Sequence, residues 1–235
     1  MPEPLEMDPD IRTARTLPSR VYHDAELYEQ ARERVFVRSW QPVSEIDRLK
    51  APGHVLPFTL LEGCLDEPLL LTHADDGVVR CLSNVCTHRG TLVVEGEGHL
   101  QTLRCRYHGR RFDLDGCFRF MPEFEEAAGF PSADDDLPRV SLRQWGPLYF
   151  ASLDPMCDFE EWIAPVRKRL DWLRPERWTR FEEHTSDYLI PANWAMYCDN
   201  YLEGFHVPYV HAGSLGAKLD YEEYHTELFD WCSLQ

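Results

Sequence analysis

Asn84-Val-Cys-Thr-His-Arg-Gly90 and, with sixteen residues between His88 and Cys105, Cys105-Arg-Tyr-His-Gly109 decide how this chain is read. Each segment offers one thiolate and one imidazole, so Cys86 and His88 form one bracket and Cys105 and His108 a second. That alternation separates two kinds of metal site built from the same four ligands. A zinc finger groups Cys with Cys and His with His around one tetrahedral ion. A Rieske [2Fe-2S] centre needs two Cys on one iron and two His on the other, which two loops can supply from opposite sides. The ligand order is wrong for the common zinc patterns and right for the cluster. Gly90 and Gly109 close the brackets, where backbone must turn tightly beside inorganic sulfide. Amides in such turns can hydrogen-bond the sulfurs and raise the reduction potential. The plain alternative is four unrelated buried side chains.

On these residues the chain resembles the alpha subunits of Rieske non-haem iron oxygenases. Asn84 to Gly90 and Cys105 to Gly109, continued by Phe112-Asp-Leu-Asp-Gly116, are similar to that family's cluster-binding loops. One position departs from the pattern. The family usually carries Trp after the second His-Gly, and here Arg110 follows, with Arg111 next. The four ligands are untouched, so the departure bears on packing over the second loop. The arginine pair is expected to be solvated, with contact to an electron donor as the alternative.

The 235 residues suffice for one large domain or two small ones, and 43% hydrophobic content is that of a chain able to bury a core. No run of about 18 apolar residues is present, so no membrane-spanning helix is expected. Met1-Pro-Glu-Pro-Leu-Glu-Met-Asp8 has neither a basic nor an apolar region of signal-peptide type. A net charge of −17 without a Lys/Arg stripe argues against nucleic acid and anionic membrane as partners. Beyond the brackets, Cys64, Cys81, Cys117, Cys157, Cys198 and Cys232 show no regular spacing. They read as free thiols in a reducing cytosol, and a cytoplasmic location is expected.

Tyr22, Ala25, Tyr28, Ala31 and Val35 recur at helical spacing behind Asp24, which predicts an amphipathic helix over 22–38. The resemblance makes residues 1–39 an N-terminal helical arm. It also makes Trp40-Gln-Pro-Val43 the first strand after the arm. Val55 to Phe58, Leu69 to Thr72, Val78 to Leu82, Leu100 to Cys105 and Leu148 to Ala151 read as strands. Asp75-Asp-Gly77 and Asp113-Leu-Asp-Gly116 read as hairpin turns. An antiparallel β domain over 40–155 is expected, with both brackets at hairpin tips. Pro122 to Pro138, containing Asp134-Asp-Asp136, reads as an acidic surface loop. Phe159 to Trp178 returns to helical spacing until Pro175, Asp187 to Ile190 reads as a short strand, and Asn193 caps a helix reaching about Phe205. The resemblance makes residues 156–235 the helix-grip-like opening of a mononuclear iron catalytic domain. The expected fold class is α+β.

On that last helix Asn200, Glu203 and His206 lie three residues apart on one face. Gly204 and Pro208 bend the chain so that His211 can return toward His206. Two neutral imidazoles side by side are part of a facial triad for non-haem ferrous iron. Taken alone the pair reads as structural; beside the upstream brackets it reads as a metal pair. Glu-x-x-His-x-x-x-x-His matches the family's mononuclear iron segment. The resemblance makes His206 and His211 ligands of a mononuclear Fe(2+) and Asn200 a lining residue. It makes Glu203 the acid bridging an iron-site His to a Rieske His on the next subunit, which implies a head-to-tail homotrimer. The alternative for Glu203 is a solvated helical carboxylate. His23, His54, His73, His99, His184 and His225 read as surface or core residues.

No Gly-rich phosphate loop is present, so electrons are expected from a separate NAD(P)H-dependent reductase or ferredoxin. In the family the third iron ligand, a carboxylate, comes from far beyond the two histidines. The 24 residues after His211 hold Asp220, Glu222, Glu223, Glu227 and Asp230, none where the resemblance would put it. The chain is therefore expected to be a C-terminally truncated alpha subunit. The implied activity is dioxygen-dependent hydroxylation or demethylation of a small organic substrate, aromatic or quaternary ammonium, with the run Asp199 to Glu203 favouring the second. Three alternatives stand beside it: a Rieske ferredoxin-like electron carrier, an inactive truncated oxygenase, and a zinc-binding structural module.

Overall fold

The structure, a computed structural model, describes the chain apart from residues 1–4, 7, 215 and 217–222, and apart from the side chain of Glu182. Asp220 and Glu222 therefore lie outside the described residues. In the arm, α1 (Ala25–Ala31) starts where the Asp24 carboxylate accepts from the Glu26 and Leu27 amides at 2.8 and 3.3 Å. It is shorter than the predicted helix, because Arg32–Phe36 widens into a π-helical turn. No residue of α1 is fully buried, so packing does not enforce regular helix there.

Ten strands follow: β1 (Gln41–Glu45), β2 (His54–Leu60), β3 (Glu67–His73), β4 (Val79–Ser83), β5 (Gly98–His99), β6 (Leu103–Arg104), β7 (Arg111–Phe112), β8 (Phe118–Phe120), β9 (Arg139–Trp145) and β10 (Leu148–Ser152). Seven form one antiparallel sheet in the order β1-β10-β9-β4-β3-β2-β5, and β6-β7-β8 form a smaller one. β3 lies inside the sheet between β4 and β2, and its side chains alternate between faces. Leu70 joins Val55, Leu82, Leu103 and Phe112 on one side; Leu69 and Leu71 join Leu49, Leu56 and Cys81 on the other. With both faces covered, three successive leucines are all buried. Thr72 is buried after them, and its hydroxyl donates to the Leu114 carbonyl at 2.6 Å, tying the large sheet to the β7–β8 hairpin.

Both expected hairpin turns are present, with Gly77 at φ +77° and Gly116 at φ +91°, values that favour glycine. α2 (Phe159–Leu170) is capped by Asp158, whose carboxylate accepts from the Glu160 amide at 2.8 Å. It buries Phe159 and Ile163 against Trp40, Trp145 and Phe150. A Cβ on Gly146 would stand 2.8 Å from the Pro175 Cβ, so glycine there lets the segment after α2 close on the β9–β10 turn. α3 (Trp194–Tyr201), α4 (Val207–Val210) and the hairpin β11 (Glu227–Leu228) with β12 (Ser233–Leu234) complete the described elements. Helices and antiparallel sheet together make the fold α+β. No helix among the described residues is long and apolar enough to cross a membrane.

Four further expectations are corrected. Asp187 to Ile190 forms no strand; Tyr188, Leu189 and Ile190 stand exposed, and no described strand pairs with them. The apolar stretch Leu100 to Cys105 shortens to the two residues of β6. The helix after Asn193 ends at Tyr201, four residues early, and turns toward α4. Arg110 is not solvated: it is 3% exposed and paired with Asp135 of the acidic loop.

Candidate metal centres

The two brackets fold alike. The Cys86 amide donates to the Thr91 carbonyl and the Gly90 amide returns to the Cys86 carbonyl; the Cys105 amide donates to the Arg110 carbonyl and the Gly109 amide returns to the Cys105 carbonyl. Glycine stands four residues after each Cys, at φ +71° and +77°, where an L side chain would be strained. Asn84 braces the first loop: its amide nitrogen donates to the Val94 carbonyl at 2.8 Å and its oxygen accepts from the Val94 amide at 2.9 Å. The second loop is the tip of the β6–β7 hairpin.

These turns bring the four side chains together and sort them by depth. Cys86 and Cys105 are buried and their thiols touch, whereas His88 and His108 are half-buried with ring centroids 4.7 Å apart. Tyr107 stacks on His108 at 3.9 Å. Burial pushes the Cys86 thiol up, with the Cys105 contact adding to it and the His88 amide opposing. Burial, reinforced by the nearby positive groups His108, Arg89 and Arg110, pushes His88 down, toward the neutral ring a metal ligand needs. His88 Nδ1 is dry and has no hydrogen-bond partner, an orphan that a metal would satisfy. No group of three or more His, Cys, Asp or Glu among the described residues is disposed to hold one metal ion. A two-iron cluster takes only two ligands per iron from the chain, so matched pairs suffice. The donor set fits the cluster.

The second constellation starts at α3, where the Asn193 side chain accepts from the Ala195 amide at 2.9 Å. Glu203 holds His206 twice: Oε1 pairs closely with the ring Nδ1, and Oε2 accepts from the His206 amide at 3.2 Å. A carboxylate only accepts, so the proton sits on Nδ1, and in the neutral ring Nε2 carries the lone pair. His211, at the end of α4, brings its ring centroid to 5.4 Å from that of His206. Asn200, Glu203, His206 and His211 share a cleft of about 310 Å³ with Tyr224 and Gln235. A Cβ on Gly204 would strike the Tyr224 ring at 2.6 Å, so glycine admits that ring to the wall. On the other side of α3, Asn200 and Glu203 also border a larger cleft of about 670 Å³ against the arm, and Tyr22 donates to Asp199 Oδ2 across it at 3.0 Å.

Two family descriptions match the chain: "Rieske [2Fe-2S] domain" over residues 39–131 and "Ring hydroxylating alpha subunit (catalytic domain)" over residues 175–233. The chain is 30% identical over 238 residues to the chloroplastic choline monooxygenase of Beta vulgaris, across 98% of its own length and 52% of that protein. The chain carries a Rieske domain and sequence of a ring-hydroxylating alpha-subunit catalytic domain. It is also 30% identical over 207 residues to the carnitine monooxygenase oxygenase subunit of Escherichia coli (strain K12), covering 85% of this chain and 53% of the relative. Among solved structures it is similar to the quaternary ammonium Rieske monooxygenase CntA in complex with L-carnitine, with TM-score 0.75 and 23% identity over 92% of this chain and 60% of that one. The chain spans about half the length of the curated relatives it matches.

Within a Rieske alpha subunit the two domains imply a [2Fe-2S] cluster and a mononuclear iron. Sequence reasoning missed the residues that support the brackets from outside them, Thr87, Arg110 and Asp135. Thr87 donates to the Asp135 carbonyl at 2.8 Å, across 48 residues of chain. The one available signal was the Arg110 departure itself, a charge where the family carries an aromatic ring. Two of the histidines read as surface or core residues, His54 and His99, meet edge to face with ring centroids 5.6 Å apart.

Proposed function

We propose that this chain is part of a terminal oxygenase that oxidises a quaternary ammonium compound, with dioxygen as co-substrate and a separate reductase or ferredoxin as electron source. The observation that carries the reading is the presence of both ligand sets in one chain: two touching thiols beside two paired imidazoles, and His206 with His211 held by Glu203. In this reading Cys86 and Cys105 hold one cluster iron, His88 and His108 the other, and His206 and His211 the mononuclear iron. When bound, the cluster supplies single-electron transfer and the ferrous ion supplies dioxygen activation.

The chain's own residues prepare those places. Buried thiols keep water from the inner side of the cluster site, and the half-buried imidazoles leave its outer edge near the surface. Glu203 keeps the proton on His206 Nδ1, turning Nε2 free for metal. In a head-to-tail trimer the same carboxylate could accept from a cluster histidine of the next subunit and orient both rings. Asn200 lines the cleft beside it. The substrate class rests on the run Asp199-Asn-Tyr-Leu-Glu203 and on relatives that, by name, oxidise choline and carnitine. Exposed Tyr197, Tyr201 and Phe205 offer aromatic faces of the kind that bind quaternary ammonium. A cytosolic setting, in which the remaining cysteines stay free, accords with this reading.

A second reading, an electron carrier, draws on the fact that no third ligand joins His206 and His211 among the described residues. Anaerobic loading with iron and sulfide separates the two. About three irons and two sulfides per chain, with a Rieske EPR signal, support an oxygenase site; about two irons support a carrier. Oxygen uptake stimulated by choline or carnitine, and not by naphthalene, supports the substrate class. Stimulation by naphthalene alone overturns it.

A further inference from the structure

Asp135 takes hydrogen bonds from both brackets at once. Its carbonyl oxygen accepts from Thr87 Oγ1 at 2.8 Å, inside the first bracket, and from Arg110 Nη2 at 3.1 Å, at the foot of the second. Its carboxylate accepts from Arg110 Nη2 at 2.5 Å through Oδ1 and from the Ser132 amide at 2.7 Å through Oδ2. Asp135 is thus anchored in its own loop while it grips both others. The Arg110 main chain also takes part, since its carbonyl accepts from the Cys105 amide at 2.9 Å.

The Arg110 guanidinium is buried among ring faces, with Cζ 4.9 Å from the Phe118 centroid and 5.7 Å from those of Phe112 and Phe130. An arginine does not shed its proton, so this is a permanent cation in a poorly screened place. Its Nε–H has no acceptor, so Asp135 satisfies only part of the group. The Asp135 carbonyl that takes this guanidinium also takes the hydroxyl of Thr87, the residue between Cys86 and His88.

We propose that Arg110 and Asp135 are positioning residues that form a charged clasp between the two cluster loops, and that the Arg110 charge sets the reduction potential of the cluster. The inference rests on the ligand reading above. Reduction adds one electron to the cluster, and a fixed cation beside it favours the reduced form, which raises the potential. Asp135 offsets part of that field. The two charges therefore act in opposite directions on the potential, while both hold the loops.

The test measures the potential by redox titration of the Rieske EPR signal, and loop opening by hydrogen exchange of the 84–92 and 105–110 amides, in the full chain. Arg110→Met is expected to shift the potential down and Asp135→Asn to shift it up, with Arg110→Lys close to the parent. Thr87→Val, which removes no charge, is expected to leave the potential in place. It should speed exchange of the first loop roughly three- to tenfold, the size of one lost hydrogen bond. Shifts of the same sign in Arg110→Met and Asp135→Asn, or none, overturn the electrostatic role; unchanged exchange in Thr87→Val overturns the clasp. If Arg110→Met takes up no cluster, the direction of the Asp135→Asn shift decides the sign. A parent chain that loads iron and sulfide without a Rieske signal instead overturns the ligand reading, and the exchange measurement still judges the clasp.

Discussion

Glu203 carries the sharpest consequence at the scale of one residue. Its two oxygens hold the ring and the main chain of His206, so the side chain fixes both tautomer and orientation of a candidate ligand. Glu203→Gln keeps the shape but can present an N–H where an acceptor is required. Substrate-dependent oxygen consumption by the holoenzyme is expected to fall roughly 10- to 100-fold, while the cluster EPR signal stays as in the parent. Unchanged turnover would remove Glu203 from the site. Cysteines differ as sharply. Cys81 sits in β4, 1% exposed between two covered faces, and burial pushes its thiol up to about 12. Almost no thiolate exists there at pH 8, and the thiolate is the nucleophile. Iodoacetamide at pH 8 is expected to modify exposed Cys198 and spare Cys81 in the folded chain, with both modified in urea. Native labelling of the two at equal rates, read by mass spectrometry, contradicts the burial.

Elements show how local chemistry sets the scaffold. The β3–β4 hairpin turns on Asp76, whose carboxylate takes the Arg80 guanidinium and accepts from the Val78 amide at 3.0 Å. The Arg80 pairing, with the Val78 amide second, holds this carboxyl at about 2, against an ordinary value of 3.8. A carboxyl lowered by folding contributes stability that is complete above its unfolded value and is lost as pH falls through the folded one. Asp76→Asn is therefore expected to flatten the pH dependence of unfolding between about pH 4 and pH 2, followed by circular dichroism in urea. An unaltered acid profile would mean the turn is held otherwise. The two cluster loops show the same economy of means: one i to i+4 turn closed by glycine, used twice, presents a Cys and a His each time.

The whole molecule poses the question of electron delivery. Glu203 and the cluster imidazoles belong to different parts of the chain, and in a head-to-tail ring each Glu203 would serve a neighbour's cluster. Chains carrying His108→Ala, mixed with chains carrying Glu203→Gln, are then expected to recover about a quarter of parental electron delivery to the mononuclear iron. One junction in four in a random mixture joins an intact cluster to an intact Glu203. No recovery on mixing, measured by EPR of the iron, would place transfer within one subunit.

What the sequence determined by itself is what depends on neighbours along the chain. The brackets, the glycine-closed loops, the Asp-Gly hairpins, the caps Asp24, Asp158 and Asn193, and the meeting of His206 with His211 were all legible, since each is a matter of a few residues' spacing. The tertiary structure decided the rest. Arg110 and Asp135 stand 25 residues apart, and nothing local reveals that a solvated-looking arginine meets a carboxylate under three phenylalanines. Asp187 to Ile190 has strand-forming residues but no described partner, and a strand exists only where another chain segment accepts its hydrogen bonds. Ligand chemistry is local; burial and charge pairing are not.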